Sequence, residues 1–306
     1  YRGSFQVLSK QDLSYNADNE WLQFCIFAKK ATFVPMKSNI LALLCVYGGV
    51  LSASCQQPAA MLSSYVAGNA SVAYVDRWLP LGNPAAIGRA QDISLGIIYE
   101  NRYITKELST KSINLSIPTA YINTGVSLSH FGYSEYNEMI VAATAGRKFG
   151  QKLLLGVDIV YYTVSVADAH KRRGTLTAQV GTQIDLSDNL SVALRLLNPI
   201  MSKISSEDTD KHLPTILSVG AMYRIRDEVI WLVEIDKETQ SPIRWATGFE
   251  YALVKELVVR LGAYGYRDFR PTLGAGLRFD HWQFDISSDY NTVLGFSLLG
   301  GVGYKL

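Results

Sequence analysis

The sequence lacks an uninterrupted stretch of about 18 apolar residues, the minimum that a membrane-spanning helix needs. Charged residues are also scarce, since they make up 18% of the 306 residues, against about 25% in an average soluble protein. Apolar residues nevertheless account for 48% of the chain. Two classes of protein combine these properties, namely soluble all-β domains and transmembrane β-barrels, in which single apolar residues are spread along the strands.

A dominant charge of one sign is absent as well, because 29 Lys and Arg residues nearly balance 27 Asp and Glu residues. This balance excludes a nucleic-acid partner that is bound through a basic surface. The three cysteines are Cys25, Cys45 and Cys55. The sequence after residue 55 therefore has no disulfide framework and no cysteine-based metal site.

Motifs of the common catalytic and metal sites are missing. The chain has no HExxH, GxSxG or Walker sequence, and its four histidines do not cluster: they are His130, His170, His212 and His281. Ser129 and His130 are adjacent, but neighbours on a strand point to opposite faces and do not form a catalytic pair. We therefore expect no enzymatic activity, no resident metal and no cofactor.

A secretory signal peptide is predicted inside the chain rather than at its first residue. Met36 and Lys37 precede an apolar segment, residues 40–53, that ends in small residues. A basic residue, an apolar core of about a dozen residues and a small-residue exit are the three parts of a signal peptide. We therefore expect residues 36–55 to be a signal peptide and residues 1–35 to be translated upstream sequence.

From residue 91 to residue 306, apolar residues alternate with polar or small residues at a period of two, which is the period of a β-strand. The predicted strands, 14 in number, cover residues 93–99, 113–117, 122–128, 139–145, 153–164, 176–184, 190–196, 217–225, 229–235, 243–251, 257–263, 273–279, 282–286 and 294–306. The connections predicted to be longer are Asn101–Lys111, Val166–Gly174, Asn198–Leu213, Asp236–Pro242 and Tyr266–Pro271.

An even strand number with alternating short and long connections is typical of bacterial outer-membrane barrels. We therefore expect an all-β protein, a 14-stranded antiparallel transmembrane β-barrel over residues 91–306. Its location would be the bacterial outer membrane, in contact with outer-membrane lipid, after removal of the signal peptide.

Charged residues on the opposite face of these strands are expected inside the barrel, because charge that faces lipid is costly. The lumen charges are predicted to be Arg195, Arg224, Glu234, Arg244, Glu250, Arg278 and Asp285, together with Asp92, Glu100, Asp158 and Asp289. The residues predicted to face lipid are Trp245 near mid-membrane, Phe249, Trp282 and Phe284. The aromatic residues predicted for the interfacial girdles are Tyr99, Phe131, Tyr251, Tyr290 and Tyr304.

Residues 56–90 precede the first strand and are rich in small residues, so we expect a short N-terminal plug inside the barrel. Its turn is Gly82-Asn83-Pro84-Ala85, in which Asn83 caps the chain. About ten residues earlier stands Ala67-Gly68-Asn69-Ala70-Ser71-Val72-Ala73. The combination resembles the FadL superfamily of outer-membrane barrels, in which a Gly-x-Ala-x-x-Ala stretch leads to an Asn-Pro-Ala turn. The resemblance implies a barrel of the predicted strand number.

A later stretch, from His130 to Glu138, resembles an early hairpin of the PorV/PorQ and PorP/SprF proteins of Bacteroidota type IX secretion. That resemblance implies a non-enzymatic barrel that engages a protein partner. The partner is expected at the outer loops Val166–Gly174 and Asn198–Leu213, because exposed outer loops are where a barrel can meet a protein. The alternative is a FadL-like transporter of a hydrophobic small molecule, such as a fatty acid, with Gly82–Ala85 as its gate. The short chain and the mixed lumen charges favour the secretion-associated function.

The exit of the predicted signal peptide allows two processing routes, namely ordinary cleavage near Cys55–Gln56 and lipidation of Cys55. Either route gives a mature protein that begins at Cys55 or Gln56. N-terminal mass spectrometry of membrane-fraction protein should therefore find a peptide that starts there. A mature chain that retains residues 1–35 would contradict this interpretation.

Overall fold

The computed structural model describes residues 66–74, 82–167, 172–204, 211–239 and 241–306. The upstream sequence 1–35, the signal peptide 36–55 with Cys55, and the remainder of the plug lie outside the described residues. So do residues 168–171 and 205–210 of the two outer loops that were expected to meet a partner. None of the described helical segments is long or apolar enough to cross a membrane.

The prediction of a 14-stranded barrel is confirmed, because 14 antiparallel strands close into one ring. The first seven strands are β1 (Ser94–Asn101), β2 (Ser109–Ile117), β3 (Asn123–Gly132), β4 (Tyr136–Phe149), β5 (Leu153–Val166), β6 (Arg173–Asp185) and β7 (Leu190–Leu197). The other seven are β10 (Ile216–Arg226), β11 (Val229–Glu238), β12 (Arg244–Ala252), β13 (Leu257–Gly265), β14 (Arg270–Phe279), β15 (Trp282–Asn291) and β16 (Gly295–Lys305). A separate two-stranded ribbon pairs β8 (Lys203–Ile204) with β9 (Lys211–His212) in the connection between β7 and β10.

Each barrel strand pairs with its neighbours along the chain, and β1 pairs with β16 to close the ring. In that last pair Ser94 lies opposite Lys305 and Asn101 lies opposite Leu298. Closure leaves no open edge, so the backbone N–H and C=O groups of the wall are bonded within the protein. This is the condition under which a sheet can lie in lipid, which offers no hydrogen bonds.

The connections divide between the two rims of the barrel. One rim carries the start of β1, the end of β16 and the turns 118–122, 150–152, 186–189, 227–228, 253–256 and 280–281. The other rim carries the connections 102–108, 133–135, 167–172, 198–215, 239–243, 266–269 and 292–294. Because short turns face the periplasm in outer-membrane barrels, we call the first the periplasmic rim and the second the outer rim.

The connections differ from the prediction in two ways. Strand β11 continues to Glu238, so the loop predicted over Asp236–Pro242 begins later than expected. The outer connections 133–135 and 292–294 are as short as the periplasmic turns. Both differences arise because neighbouring strands keep hydrogen bonding beyond the last apolar residue of the alternating pattern.

Burial alternates along the strands, as in β5, where Ile159 is 63% exposed and its neighbour Val160 is 6% exposed. The exposed set is largely apolar, and it includes Phe249, Trp282 and Phe284. Trp245 lies half-buried on the same outward face. An apolar exterior on a closed barrel is the arrangement of an integral outer-membrane protein, because the exterior contacts lipid chains.

One predicted girdle residue lies elsewhere. Phe131 is 1% exposed inside the barrel, where its ring meets that of Tyr136 at a centroid distance of 6.5 Å. Val126 and Leu128 face outwards, so the odd-numbered Phe131 on the same strand must face inwards. The other four residues lie on the outward face near strand ends: Tyr99, Tyr251, Tyr290 and Tyr304.

The expectation that Trp245 lies near mid-membrane is wrong, because it is the second residue of β12 at the outer rim. Leu261 occupies the middle of β13 and faces outwards. We expect Leu261→Arg to lower the free energy of unfolding by about 2–4 kcal/mol, and Trp245→Arg by about 0–1 kcal/mol, because the cost of charge falls towards the interface. Guanidinium titration in lipid vesicles measures both, and equal costs would contradict the assigned depths.

Candidate functional site

Two plug segments lie inside the barrel, the first over residues 66–74 and the second over residues 82–90. The first contains the 3-10 turn Ala67–Asn69, which contacts β12, β13 and β14. The second contains the 3-10 helix Pro84–Arg89, which contacts β3, β4, β5 and β6. These strand groups lie on nearly opposite sides of the ring, so the two segments together bridge the lumen.

Three glycines make room for the second plug segment, and we call them the glycine patch: Gly146, Gly156 and Gly181. They face inwards side by side, since Gly156 is paired with Gly146 on β4 and with Gly181 on β6. A Cβ on Gly156 would overlap the carbonyl of Pro84, and one on Gly181 would overlap the side chain of Asn83. The predicted turn therefore packs directly on the backbone of the wall.

A second glycine pair holds the first plug segment. Gly248 and Gly262 are paired across β12 and β13, and a Cβ on either would overlap the backbone of Ala67 or Gly68. Gly68 itself has φ +65° and lies against the carbonyl of Thr247. Only glycine tolerates both that backbone conformation and that approach, which accounts for Gly68 in the stretch that resembles the FadL superfamily.

Asn83 joins the two plug segments to each other and to the wall. Its Oδ1 accepts a 3.0 Å hydrogen bond from the N–H of Ala85, so it caps the 3-10 helix that Pro84 begins. Its Nδ2 donates to the carbonyl of Val72 at 2.9 Å and to that of Thr182 at 3.2 Å. A single side chain thus connects the turn, the first plug segment and strand β6.

Buried charges of the wall bond to the backbone of the first plug segment. Glu234 accepts a 2.7 Å hydrogen bond from the N–H of Val72. Arg244 donates to the carbonyl of Asn69 at 2.6 Å and to Glu234 at 3.1 Å, and it is also paired with Asp236. These charges have partners both in the wall and in the plug.

A second charged cluster holds the end of that segment. Glu250 accepts hydrogen bonds at 2.7 Å from the hydroxyl of Tyr74 and from Arg260. Arg260 also donates to Asp285 at 2.5 Å, and Arg278 lies 3.4 Å from Glu250. Hydrogen bonds to charged groups contribute about 1.5–3 kcal/mol each, so the observed arrangement stabilises the plug inside the barrel.

The remaining predicted lumen charges are spread over the barrel. Arg195 is buried and donates to Ser218 at 3.0 Å and to the carbonyl of Gly82 at 3.5 Å. Arg224 lies on the inner face of β10 near the periplasmic rim. Asp92 lies elsewhere, because it precedes β1 and pairs with Lys305 at 3.0 Å on the periplasmic rim.

Two residues of the charged clusters were missed by the sequence analysis. Arg260 alternates with the outward-facing Val259 and Leu261, so the rule that identified the other lumen charges applies to it too. Asp236 was assigned to a loop, although it follows Glu234 at strand spacing. Both residues occupy inward positions of the same alternating pattern, so the sequence does contain the signal for them.

Two cavities lie on the outer side of the plug. The first, the Asp158 cavity, is lined by the apolar residues Ile140, Val160, Tyr162, Leu197, Leu213 and Pro214 and by the polar residues Asp158, Thr177, Gln179 and Asn198. The volume that it encloses is about 20 Å³, which is room for one water-sized molecule. Gln179 donates a 2.7 Å hydrogen bond to the carbonyl of Gly82, so this cavity directly adjoins the plug turn.

The second, the Glu100 cavity, encloses about 20 Å³ and is lined mainly by polar residues. Its lining consists of Asn69, Glu100, Tyr264, Thr272, Ser287, Asp289, Ser297, Leu298 and Leu299. Arg102, on the outer connection after β1, donates to Glu100 at 3.2 Å. Burial opposes the charge of Arg102, but the attraction of Glu100 outweighs it and raises the pKa of the Arg102 guanidinium.

Solved structures with a similar fold include outer-membrane transporters. The Pseudomonas putida toluene transporter TodX has a TM-score of 0.59 and 12% identity, over 82% of this chain and 98% of that chain. The Ralstonia pickettii toluene transporter TbuX has a TM-score of 0.58 and 11% identity, over 79% of this chain and 97% of that chain. A Pseudomonas aeruginosa FadL homologue has a TM-score of 0.51 and 11% identity, over 82% and 96%.

No protein-family model matches the sequence, and no curated protein matches it. At such low identities the structural alignments show a shared fold, which is that of FadL-like outer-membrane barrels. They support the FadL part of the resemblance. The similarity to PorV/PorQ and PorP/SprF proteins has no corresponding match.

Packing of the turn on the glycine patch leads to a prediction. We expect Gly156→Ala to lower the free energy of unfolding by about 1–3 kcal/mol, because the new methyl group overlaps Pro84 in a packed interior. It should also raise single-channel conductance in planar bilayers, because the plug no longer fits against the wall.

The matched control is Gly301→Ala, since a Cβ on the inward-facing Gly301 would lie 3.6 Å from the side chain of Ile98, an ordinary contact. Its conductance should equal that of the wild type. Equal conductance of the Gly156 variant and the control would mean that the glycine patch does not position the plug.

Proposed function

We propose that this protein carries a hydrophobic small molecule across the outer membrane, with the turn Gly82–Ala85 as the gate of its path. Such a protein would be a passive transporter that catalyses no reaction. The observation that carries the proposal is the Asp158 cavity, a small and largely apolar space inside the barrel that adjoins the plug turn and would take a solute only when that turn moves. Binding sites for small apolar molecules have this character, with apolar walls and a few polar groups.

The position of the Asp158 cavity suits a molecule that arrives from outside the cell. Asn198, Leu213 and Pro214 of its lining belong to the outer connection between β7 and β10. Gln179 lies at its other end and bonds to the carbonyl of Gly82. A molecule in the cavity would therefore be separated from the periplasmic side by the second plug segment.

Opening of the path requires displacement of the plug turn. The turn packs on the glycine patch without interlocking side chains, and Asn83 holds it through three hydrogen bonds. The first plug segment is held by the buried charges of Glu234, Arg244 and Glu250.

Charged groups hold the second segment too, because Arg195 donates to Gly82 and Arg89 is paired with Asp185. We propose that the turn Gly82–Ala85 moves, because it adjoins the Asp158 cavity. Its displacement would break the hydrogen bond of Arg195 to Gly82, while the ion pair of Arg89 with Asp185 can keep the end of the same segment attached to the wall.

The fold shared with the toluene transporters TodX and TbuX supports transport. A shared fold by itself does not identify the solute. The secretion-associated function, which the sequence analysis favoured, receives no such support. Mixed charges in the lumen were part of the argument for it. In the structure these charges hold the plug, so they are compatible with a transporter.

Uptake of labelled toluene and of oleate by intact cells tests the proposal, in a host without its own channel for hydrophobic solutes. We expect the wild type to raise uptake of at least one of the two. Val160→Trp, which fills the Asp158 cavity, should abolish that gain. Ile159→Trp is the matched control, because the adjacent side chain faces lipid and the new indole stays outside the barrel.

Equal uptake with Val160→Trp and Ile159→Trp would show that the solute does not pass through the Asp158 cavity. No gain in uptake with the wild type, together with capture of a protein partner by the intact outer loops, would favour the secretion-associated function instead.

A further inference from the structure

We propose that a basic cluster on the lipid-facing surface of the barrel binds the phosphate-bearing head group of an outer-leaflet lipid. The cluster consists of Lys111, His130 and Arg172 at the outer rim. Because these side chains stand on the outside of the wall, the lipid site is independent of the proposed path for a solute through the lumen.

Strand pairing places the first two members of the basic cluster side by side. Lys111 and His130 lie directly opposite each other across β2 and β3. They alternate with the inward-facing Thr110 and Phe131, so both side chains point out of the barrel. Directly opposite residues on one face of a sheet have Cβ atoms about 4.5–5.5 Å apart. The ammonium of Lys111 and the imidazole of His130 therefore share one patch of the outer surface.

Arg172 extends this patch around the ring. It is exposed and immediately precedes β6 at the same rim. Lys111 and Arg172 both interact electrostatically with the imidazole of His130. Tyr161 of β5 faces outwards in the same sector, and a Cβ on Gly174 would lie 2.7 Å from its hydroxyl. The patch thus offers basic nitrogen atoms and a hydroxyl to a head group.

The carboxylates on the neighbouring strands point away from the basic cluster. Glu100 of β1 and Glu138 of β4 are buried on the inner face of the wall. Within the part of the chain that the structure describes, neither Lys111 nor Arg172 forms an ion pair. Like charges side by side on a sheet are destabilising, so an anion bound between them removes that cost.

The wall below the basic cluster identifies the occupant as a lipid. Two residues nearer to mid-membrane, Ile113 and Leu128 are paired and both face outwards. A lipid places its acyl chains on such residues while its head group meets the cations, whereas a soluble anion gains nothing from them. A phosphate suits this head group, because Lys and Arg bind phosphate oxygens through charge-assisted hydrogen bonds.

The outer rim formed by β12–β16 has a different character. Its outward side chains are aromatic, with the rings of Trp245 and Phe269 6.1 Å apart and those of Tyr290 and Phe296 4.7 Å apart. Aromatic rings at this level anchor a barrel in the interface without selecting a charged lipid. We therefore expect the anionic lipid to bind at β2–β6 rather than evenly around the barrel.

Native mass spectrometry of the full-chain protein in detergent tests the lipid site, in titrations with lipid A, dephosphorylated lipid A and phosphatidylcholine. We expect the wild type to bind lipid A most tightly. Lys111→Gln and Arg172→Gln should each weaken binding of lipid A about fivefold, the contribution of one cation near an anionic lipid surface. Binding of dephosphorylated lipid A and phosphatidylcholine should not change.

The matched control is Lys237→Gln, which removes an outward-facing lysine at the outer rim on β11, away from the basic cluster. The ammonium of Lys237 donates to the carbonyl of Ser241, and its loss should leave the affinity for lipid A unchanged. Heat-modifiable migration on gels shows whether each variant is folded, and either of the two cluster variants is sufficient for the test.

Three results would overturn the assignment of a lipid site. Equal binding of lipid A and dephosphorylated lipid A by the wild type would show that the phosphate is not recognised. An equal loss of affinity with Lys237→Gln would assign the attraction to the whole charge of the protein. Release of lipid A by an equal concentration of inorganic phosphate would show that the basic cluster binds a free anion and not a lipid.

Discussion

The structure depends on one constraint, that a barrel wall in lipid keeps its charges inside, where they need partners. The plug supplies many of these partners from its backbone. Glu234 and Arg244 bond to the N–H of Val72 and the carbonyl of Asn69, while Glu250 bonds to the hydroxyl of Tyr74. The wall and the plug thus provide hydrogen-bond partners for each other. Either alone would bury polar groups without partners, at a cost of several kcal/mol.

These bonds between wall and plug explain why the two sides of the lumen differ in charge. Charged clusters occupy the side formed by β11–β15, where the first plug segment is attached. The opposite side, β4–β6, presents the glycine patch to the second plug segment and leaves an apolar cavity beyond it. The first side therefore holds most of the charges that bond to the plug, and the second has the space beside the plug turn.

Prediction of the fold from sequence succeeded because each strand repeats the same physical rule. Side chains alternate between lipid and lumen, so the strands could be counted from apolar residues. The prediction was wrong where this alternation was not applied. Phe131 was assigned to the girdle because it lies near a strand end, although its odd-numbered position on the strand points it inwards. Arg260 and Asp236 were omitted because the count followed apolar residues and not the charges between them.

The sequence by itself determined the class of protein, the number of strands and the residues of the plug turn, because alternation and turn chemistry are local properties of the chain. Only the tertiary structure decided that three glycines far apart in sequence form one patch under Pro84. It also decided that Glu234 and Arg244 of the wall bond to the backbone of the first plug segment. These features depend on register between strands and on the fit of the plug, and both arise from contacts between distant segments that local pattern does not encode.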